Sequence, residues 1–143
     1  MNGVAAPVHS AQGLGLQFQI KGDQRGALVA LERGGDVPFP IARVYYLTHT
    51  KPGISRGFHA HRELQQLAVC VAGRCRMLMD DGVSRVDYWL DTPDRGVLIP
   101  PGVWHEMHDF SDDCVLLVLA SAPYEESDYI RDYSAFREAV KHG

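Results

Sequence analysis

The stretch Arg56-Gly57-Phe58-His59-Ala60-His61 decides the reading of this chain. Along an extended strand successive side chains point to opposite faces, so His59 and His61 share one face and Ala60 takes the other. Two imidazoles are thereby held side by side on a rigid element, where they can exchange protons or bind a metal. The apolar run that follows, as far as Val71, sets the pair at an interior rather than in open solvent. The rest of the chain is expected to be a container for it.

Working outward, nearly every segment has the period of a strand. Leu16–Ile20, Ala27–Leu31, Ile41–Thr48, Leu64–Val71, Arg74–Met79, Val83–Leu90, Val97–Ile99 and Val103–Phe110 alternate or are rich in β-branched and aromatic residues. Cys114–Ala120 is apolar throughout and reads as a strand buried on both faces. Asp80-Asp81-Gly82 is the strongest hairpin signal, since Asp-Gly suits turns that need positive φ. Pro100-Pro101-Gly102 predicts a stiff corner. Only Ser134–Lys141 changes to a helical period, with Ser134 as the expected N-cap. Many short strands with closely spaced turns, then one terminal helix, predict an all-β barrel or sandwich. Residues 1–15 read as a flexible N-terminal arm and 16–143 as one domain.

Composition narrows the function. A net charge of −4 without any Lys/Arg run argues against a nucleic-acid surface, which needs a basic patch. Cys70, Cys75 and Cys114 form no Cys-X-X-Cys pair and lie in or beside apolar runs. They are expected to be reduced and buried, as in a cytoplasmic protein. No signal-peptide pattern opens the chain, and its longest apolar run is too short for a membrane span.

The stretch around the His pair resembles the first half-motif of the cupin superfamily, a small jelly-roll-like β-barrel. Gly53, five residues, His59-Ala60-His61 and a closing Gly73 match it, while the usual Glu falls on Gln65 or Gln66, with Gln66 giving the correct spacing to Gly73. Pro100-Pro101-Gly102-Val103-Trp104-His105 matches the second half-motif, which ends on Asp109 where Asn is usual. The metal ligands of cupins would correspond to His59, His61, the missing Glu and His105. An amide is a poor substitute for that carboxylate on a divalent ion, so no metal and no other cofactor is expected.

A narrower resemblance covers Ile20 to Val140. Arg43-Val44-Tyr45-Tyr46, Arg56–His61, Val103–Phe110, Val118–Ser121 and Asp128-Tyr129-Ile130-Arg131 occur in this order in the dTDP-4-keto-6-deoxyglucose 3,4-ketoisomerases. The resemblance implies movement of the sugar ketone from C4 to C3 through an enediol, toward 3-amino-3,6-dideoxy sugars. Such a shift needs acid–base groups and a partner for an enolate-like oxygen. His59 and His61 are expected as base and proton shuttle, with His59 preferred as base, and Tyr45 as a phenolic partner. By parity, Tyr46 faces the other way. Arg43 and Arg56 suit the diphosphate, Gln65 the substrate, and Trp104 the thymine ring. Arg25 and His105 resemble the branch forming 3-keto-6-deoxy-D-galactose rather than the gluco isomer. A homodimer is the family expectation. A metal-dependent cupin enzyme and a non-enzymatic sugar-binding cupin are the alternatives.

Overall fold

The computed structural model describes residues 9–142. In chain order the strands are β1 (Gly15–Gln17), β2 (Lys21–Asp23), β3 (Gly26–Leu28), β4 (Arg43–Leu47), β5 (Arg56–His61), β6 (Gln66–Ala72), β7 (Cys75–Asp80), β8 (Arg85–Leu90), β9 (Arg95–Ile99), β10 (Trp104–His108), β11 (Val115–Ala120) and β12 (Tyr129–Ile130). One turn of 3-10 helix covers Glu126–Asp128, and α1 covers Tyr133–His142.

Two five-stranded antiparallel sheets, ordered β1-β9-β6-β11-β4 and β12-β5-β10-β7-β8, face one another. The sheets are not joined edge to edge among the described strands, so the cupin fold is an open jelly roll rather than a closed barrel. Alternation fills the space between them with Ala68, Cys70, Val97, Leu116 and Val118 from the first sheet and Cys75, Met77, Met79 and Met107 from the second. β6 and β11 are central and covered on both sides. Their other face carries Leu67, Val69 and Leu119, packed under Phe18, Val37 and Phe39. The three cysteines are buried and free, with Cys70 Sγ 3.3 Å from Cys114 Sγ and 3.7 Å from Cys75 Sγ. Burial, with Cys70 adding to it, pushes the Cys114 thiol up to about 12, so these groups act as small apolar side chains.

Several local expectations are corrected. Of the arm, residues 1–8 lie outside the described residues, but Ala11 and Leu14 are core residues. Ala11 is tied by its N–H to Asp81 Oδ2 at 2.7 Å. The strand expected at Leu16–Ile20 stops at Gln17, because Phe18 turns inward onto Gly96: a Cβ there would lie 2.9 Å from its ring. β2 and β3 then form a separate hairpin belonging to neither large sheet. The helix is capped by Asp132, whose Oδ2 accepts the Ala135 N–H at 2.9 Å, and Ser134 lies inside it. Through Phe136, α1 packs against Ala60, Trp104 and Ile130 on the outer face of the second sheet. No helix among the described residues is long and apolar enough to cross a membrane.

Candidate active site

The His pair meets its third member through strand register. β5 and β10 align His59 with His105, and β12 aligns Tyr129 with His61. Beyond His105 the register shifts, and Gly57 pairs with Glu106, leaving Phe58 as the extra residue of a β-bulge. Gly57 and Phe58 both take positive φ, 90° and 61°. Gly57 is required because a Cβ there would lie 3.1 Å from the His105 carbonyl oxygen. The bulge changes the parity of everything before it. Arg56, three residues from His59, therefore lines the same hollow of about 350 Å³ as His59, Tyr45 and Tyr129.

Ring centroids lie 4.9 Å apart for His59 and His61, 4.4 Å for His59 and His105, and 6.0 Å for His61 and His105. Tyr129 completes the cluster, 4.8 Å from His59 and 4.4 Å from His61, with the Arg131 guanidinium 4.1 Å from its centroid. Packing imidazoles this closely in a buried place disfavours their charged forms. Burial, then the neighbouring His59, lowers His61 to about 4, although Asp128 pulls the other way. Burial, followed by His59 and His61, takes His105 well below its ordinary value. His59 is also lowered by burial; the Gly57 backbone opposes this but falls short of a hydrogen bond at Nδ1. At neutral pH the cluster is a set of uncharged bases.

Around it stand the polar groups. Tyr45 donates its hydroxyl hydrogen to Gln66 Oε1 at 2.5 Å, and burial, then Tyr129, pushes its phenol up to about 12. Arg43 sits with its guanidinium carbon 5.1 Å from the Tyr45 centroid, and its buried Nε has no hydrogen-bond partner. Arg43 and Tyr129 also border an adjoining hollow of about 460 Å³ that His61 and Asp128 help to line.

The structure therefore brings together His59, His61, His105, Tyr45, Arg43 and Arg56. Three expected residues lie elsewhere. Gln65 is exposed, and its neighbour Gln66 is the buried one facing Tyr45. Trp104 precedes His105 on β10 and so points to the opposite face, where its Nε1–H donates to Glu106 and its ring packs on Tyr133 and Phe136. Arg25 is on the β2–β3 hairpin, its side chain 86% exposed and paired with Asp23, so its own chain does not bring it to the cluster. Tyr46 is on the outer face, as parity predicts, and is exposed. The residues not anticipated as site members are Asp128, Tyr129 and Arg131, which belong to one of the recurring words but had no chemical signal of their own.

The cupin fold raises the question of a metal. Potential ligand atoms of His59, His61 and His105 all lie within 4.8 Å of one another. The fourth cupin position, however, is the neutral Gln66, whose Oε1 is engaged by Tyr45. The donor set lacks the carboxylate of the cupin quartet and does not fit a divalent ion in that manner.

Comparison with known proteins places the chain among sugar-nucleotide ketoisomerases. The family model "FdtA: WxcM-like, C-terminal" matches residues 15–141. The TDP-4-oxo-6-deoxy-alpha-D-glucose-3,4-oxoisomerase of Aneurinibacillus thermoaerophilus is 52% identical over 118 residues, covering 82% of this chain and 85% of the relative. A 3,4-ketoisomerase from Helicobacter canadensis superposes with a TM-score of 0.86 at 43% identity, covering 89% of this chain and 96% of the other. A sugar 3,4-ketoisomerase from Thermoanaerobacterium thermosaccharolyticum, solved in complex with TDP, gives 0.87 at 39%, covering 90% and 93%. The match spans both sheets and every residue of the His cluster, and the chain belongs to the FdtA family.

Proposed function

We propose that this protein is a dTDP-4-keto-6-deoxy-D-glucose 3,4-ketoisomerase that forms dTDP-3-keto-6-deoxy-D-galactose, a precursor of 3-amino-3,6-dideoxy sugars. The observation that carries the reading is the cluster of uncharged imidazoles beside a half-buried phenol and the arginines Arg43 and Arg56. A ketone shift asks for little more. A base removes the C3 proton while O4 gains one, giving an enediol; the O3 proton then leaves and C4 is reprotonated. No electrons leave the sugar.

His59, which opens to the hollow beside Tyr45 and the arginines, is the candidate for the base. His61, next to it with its Nδ1 3.0 Å from Asp128 Oδ2, is suited to carry the proton onward. Tyr45 is suited to the oxygen whose charge grows in the enediol. The unpartnered Nε of Arg43, with Arg56 nearby, suits the diphosphate.

The galacto configuration rests on His105 within the cluster and on the family resemblance of Arg25. Since Arg25 lies away from its own pocket, it would act from a second copy of the chain. A homodimer is supported by the outer face of the first sheet, where Ile20, Ile41, Val44 and Val71 are exposed around an apolar hollow. The three unpaired, buried cysteines suit the reducing cytoplasm.

The test is incubation with dTDP-4-keto-6-deoxyglucose in deuterium oxide, followed by NMR. A C3 ketone with deuterium at C4 in the galacto configuration is expected. Binding without exchange at C3 or C4 would favour a sugar-binding cupin.

A further inference from the structure

Ser55 and Arg56 are neighbours where β5 begins, so their side chains take opposite faces of the sheet. The bulge decides which of them faces the hollow. Counted back from His59 with an unbroken period of two, Arg56 would point outward and Ser55 inward. The extra residue, Phe58, reverses both, so that Arg56 pairs with the interior residue Met107 and lines the hollow. This register has a cost, since Phe58 is a bulky residue at a φ of 61°.

A row of side chains on the outer face offsets that cost. Trp104, Glu106 and His108 alternate along β10 and share this face. Glu106 Oε2 accepts the Trp104 Nε1–H at 2.9 Å, and its Oε1 lies 2.8 Å from His108 Nε2. An ionised carboxylate only accepts, so His108 carries its hydrogen on Nε2, and its Nδ1 accepts the Ser55 hydroxyl hydrogen at 2.7 Å. The His108 ring also meets the Phe58 ring edge to face, with centroids 5.7 Å apart. β10 thus grips β5 at Ser55 and at Phe58, on either side of Arg56-Gly57. In the unbulged register Ser55 would face the interior, and its bond to His108 could not form.

We infer that Ser55 and His108 are positioning residues that latch β5 in its bulged register and so turn Arg56 into the hollow, toward the diphosphate of the substrate. The inference rests on the diphosphate role proposed for Arg56. Both residues act from the outer face of the sheet, through the strand rather than by contact with the sugar nucleotide. His59 and His61 follow the bulge and keep their parity in either register. The latch therefore governs how tightly the nucleotide is held more than how fast the bound sugar reacts.

The experiment combines backbone NMR, dTDP binding by calorimetry and steady-state kinetics on the full chain. It compares the wild type with Ser55→Ala, Ser55→Thr, His108→Leu, Arg56→Gln and the double variant of Ser55→Ala with Arg56→Gln. The ¹³Cα and ¹³Cβ shifts of Phe58 should report positive φ in the wild type and in Ser55→Thr. In Ser55→Ala and His108→Leu they should move toward extended-strand values. Ser55→Ala should weaken dTDP binding and raise KM by about 3- to 10-fold, the worth of one hydrogen bond, with kcat within about twofold. Ser55→Thr, which keeps the hydroxyl, should stay near the wild type. Arg56→Gln should weaken dTDP binding by about 10-fold or more, and adding Ser55→Ala to it should cost less than about 1.5-fold further. Unchanged dTDP affinity in Ser55→Ala and His108→Leu, while Arg56→Gln weakens it, would overturn the inference. So would losses that multiply in full in the double variant. Shifted Phe58 signals in Ser55→Ala alongside an Arg56→Gln that binds dTDP normally would instead uphold the latch and overturn the diphosphate role of Arg56.

Discussion

Gly57 and His105 approach so closely across the β5–β10 pair that a methyl group on Gly57 would lie 3.1 Å from the His105 carbonyl oxygen. Gly57 also has φ of 90°, which an L side chain rarely adopts. Gly57→Ala should therefore force the two strands apart at the register that aligns His59 with His105. Thermal unfolding is expected to show a loss of about 1–3 kcal/mol, and turnover should fall further than the unfolded fraction explains. Normal turnover in the folded variant would mean that the bulge is not needed to align the imidazoles.

The buried imidazoles set a pH dependence with a definite sign. With His61 lowered to about 4 and His59 lowered from 6.5 by burial, both keep their uncharged forms at neutral pH, and kcat/KM should stay flat from neutrality to below pH 6.5 before falling. Stability follows the same direction. The unfolded state takes up a proton on His61 near pH 6.5 and the folded state only near 4, so this contribution is complete above 6.5 and is lost as the pH falls through that window. Denaturant titrations across pH 4–7 will measure it; stability that rises on acidification there would contradict it.

Arg43 carries a buried donor without a partner, which a diphosphate oxygen would satisfy. Arg43→Gln should raise KM for the sugar nucleotide by about 10- to 100-fold, in line with the loss of one charge-assisted contact, with a smaller change in kcat. An unchanged KM would remove Arg43 from the diphosphate site.

Trp104 gives the opposite forecast. Its ring is enclosed by Tyr133 and Phe136 on the far side of the sheet, so Trp104→Phe should leave KM within about twofold. Loss of the indole N–H leaves Glu106 Oε2 short of a donor and should lower stability by about 1–3 kcal/mol. Calorimetry and steady-state kinetics separate the two effects.

Dialysis against EDTA should leave isomerisation at its full rate, since the acid–base groups are all side chains. Gln66→Glu completes the cupin quartet around His59, His61 and His105. That variant should retain zinc or nickel after desalting, measured by elemental analysis, where the wild type retains none. Loss of wild-type activity on chelation, restored by a divalent ion, would replace the metal-free mechanism.

Much of this was legible in the sequence, and the failures have identifiable causes. Period-two alternation correctly put His59 with His61, and Tyr45 on the face opposite Tyr46. The same rule, applied to Trp104 and His105, separates them, so the error over Trp104 lay in not using it. The choice between Gln65 and Gln66 depends on where β6 begins, and Ser121 fixes that by accepting the Gln65 N–H on its Oγ and donating its own N–H to the Gln65 carbonyl. The bulge was hidden because Gly57-Phe58 reads as ordinary strand; only the facing backbone of β10 reveals the extra residue. Asp128 is far from His61 along the chain, and no local pattern announces a contact that a two-residue strand creates. Arg25 depends on a hairpin that leaves the sheet after Phe18 turns inward, a packing event of the tertiary structure.

Ala60, between the two histidines of the motif, is small and fully buried, against Trp104, Ile130 and Phe136. The wall carrying His59 and His61 is consequently one strand thick, with the hollow that His59 lines on one side and the C-terminal helix on the other. A larger residue at position 60 would push that wall into the hollow from behind. The room in the hollow is thus set partly by residues that never line it, and the last ten residues of the described chain work as its buttress.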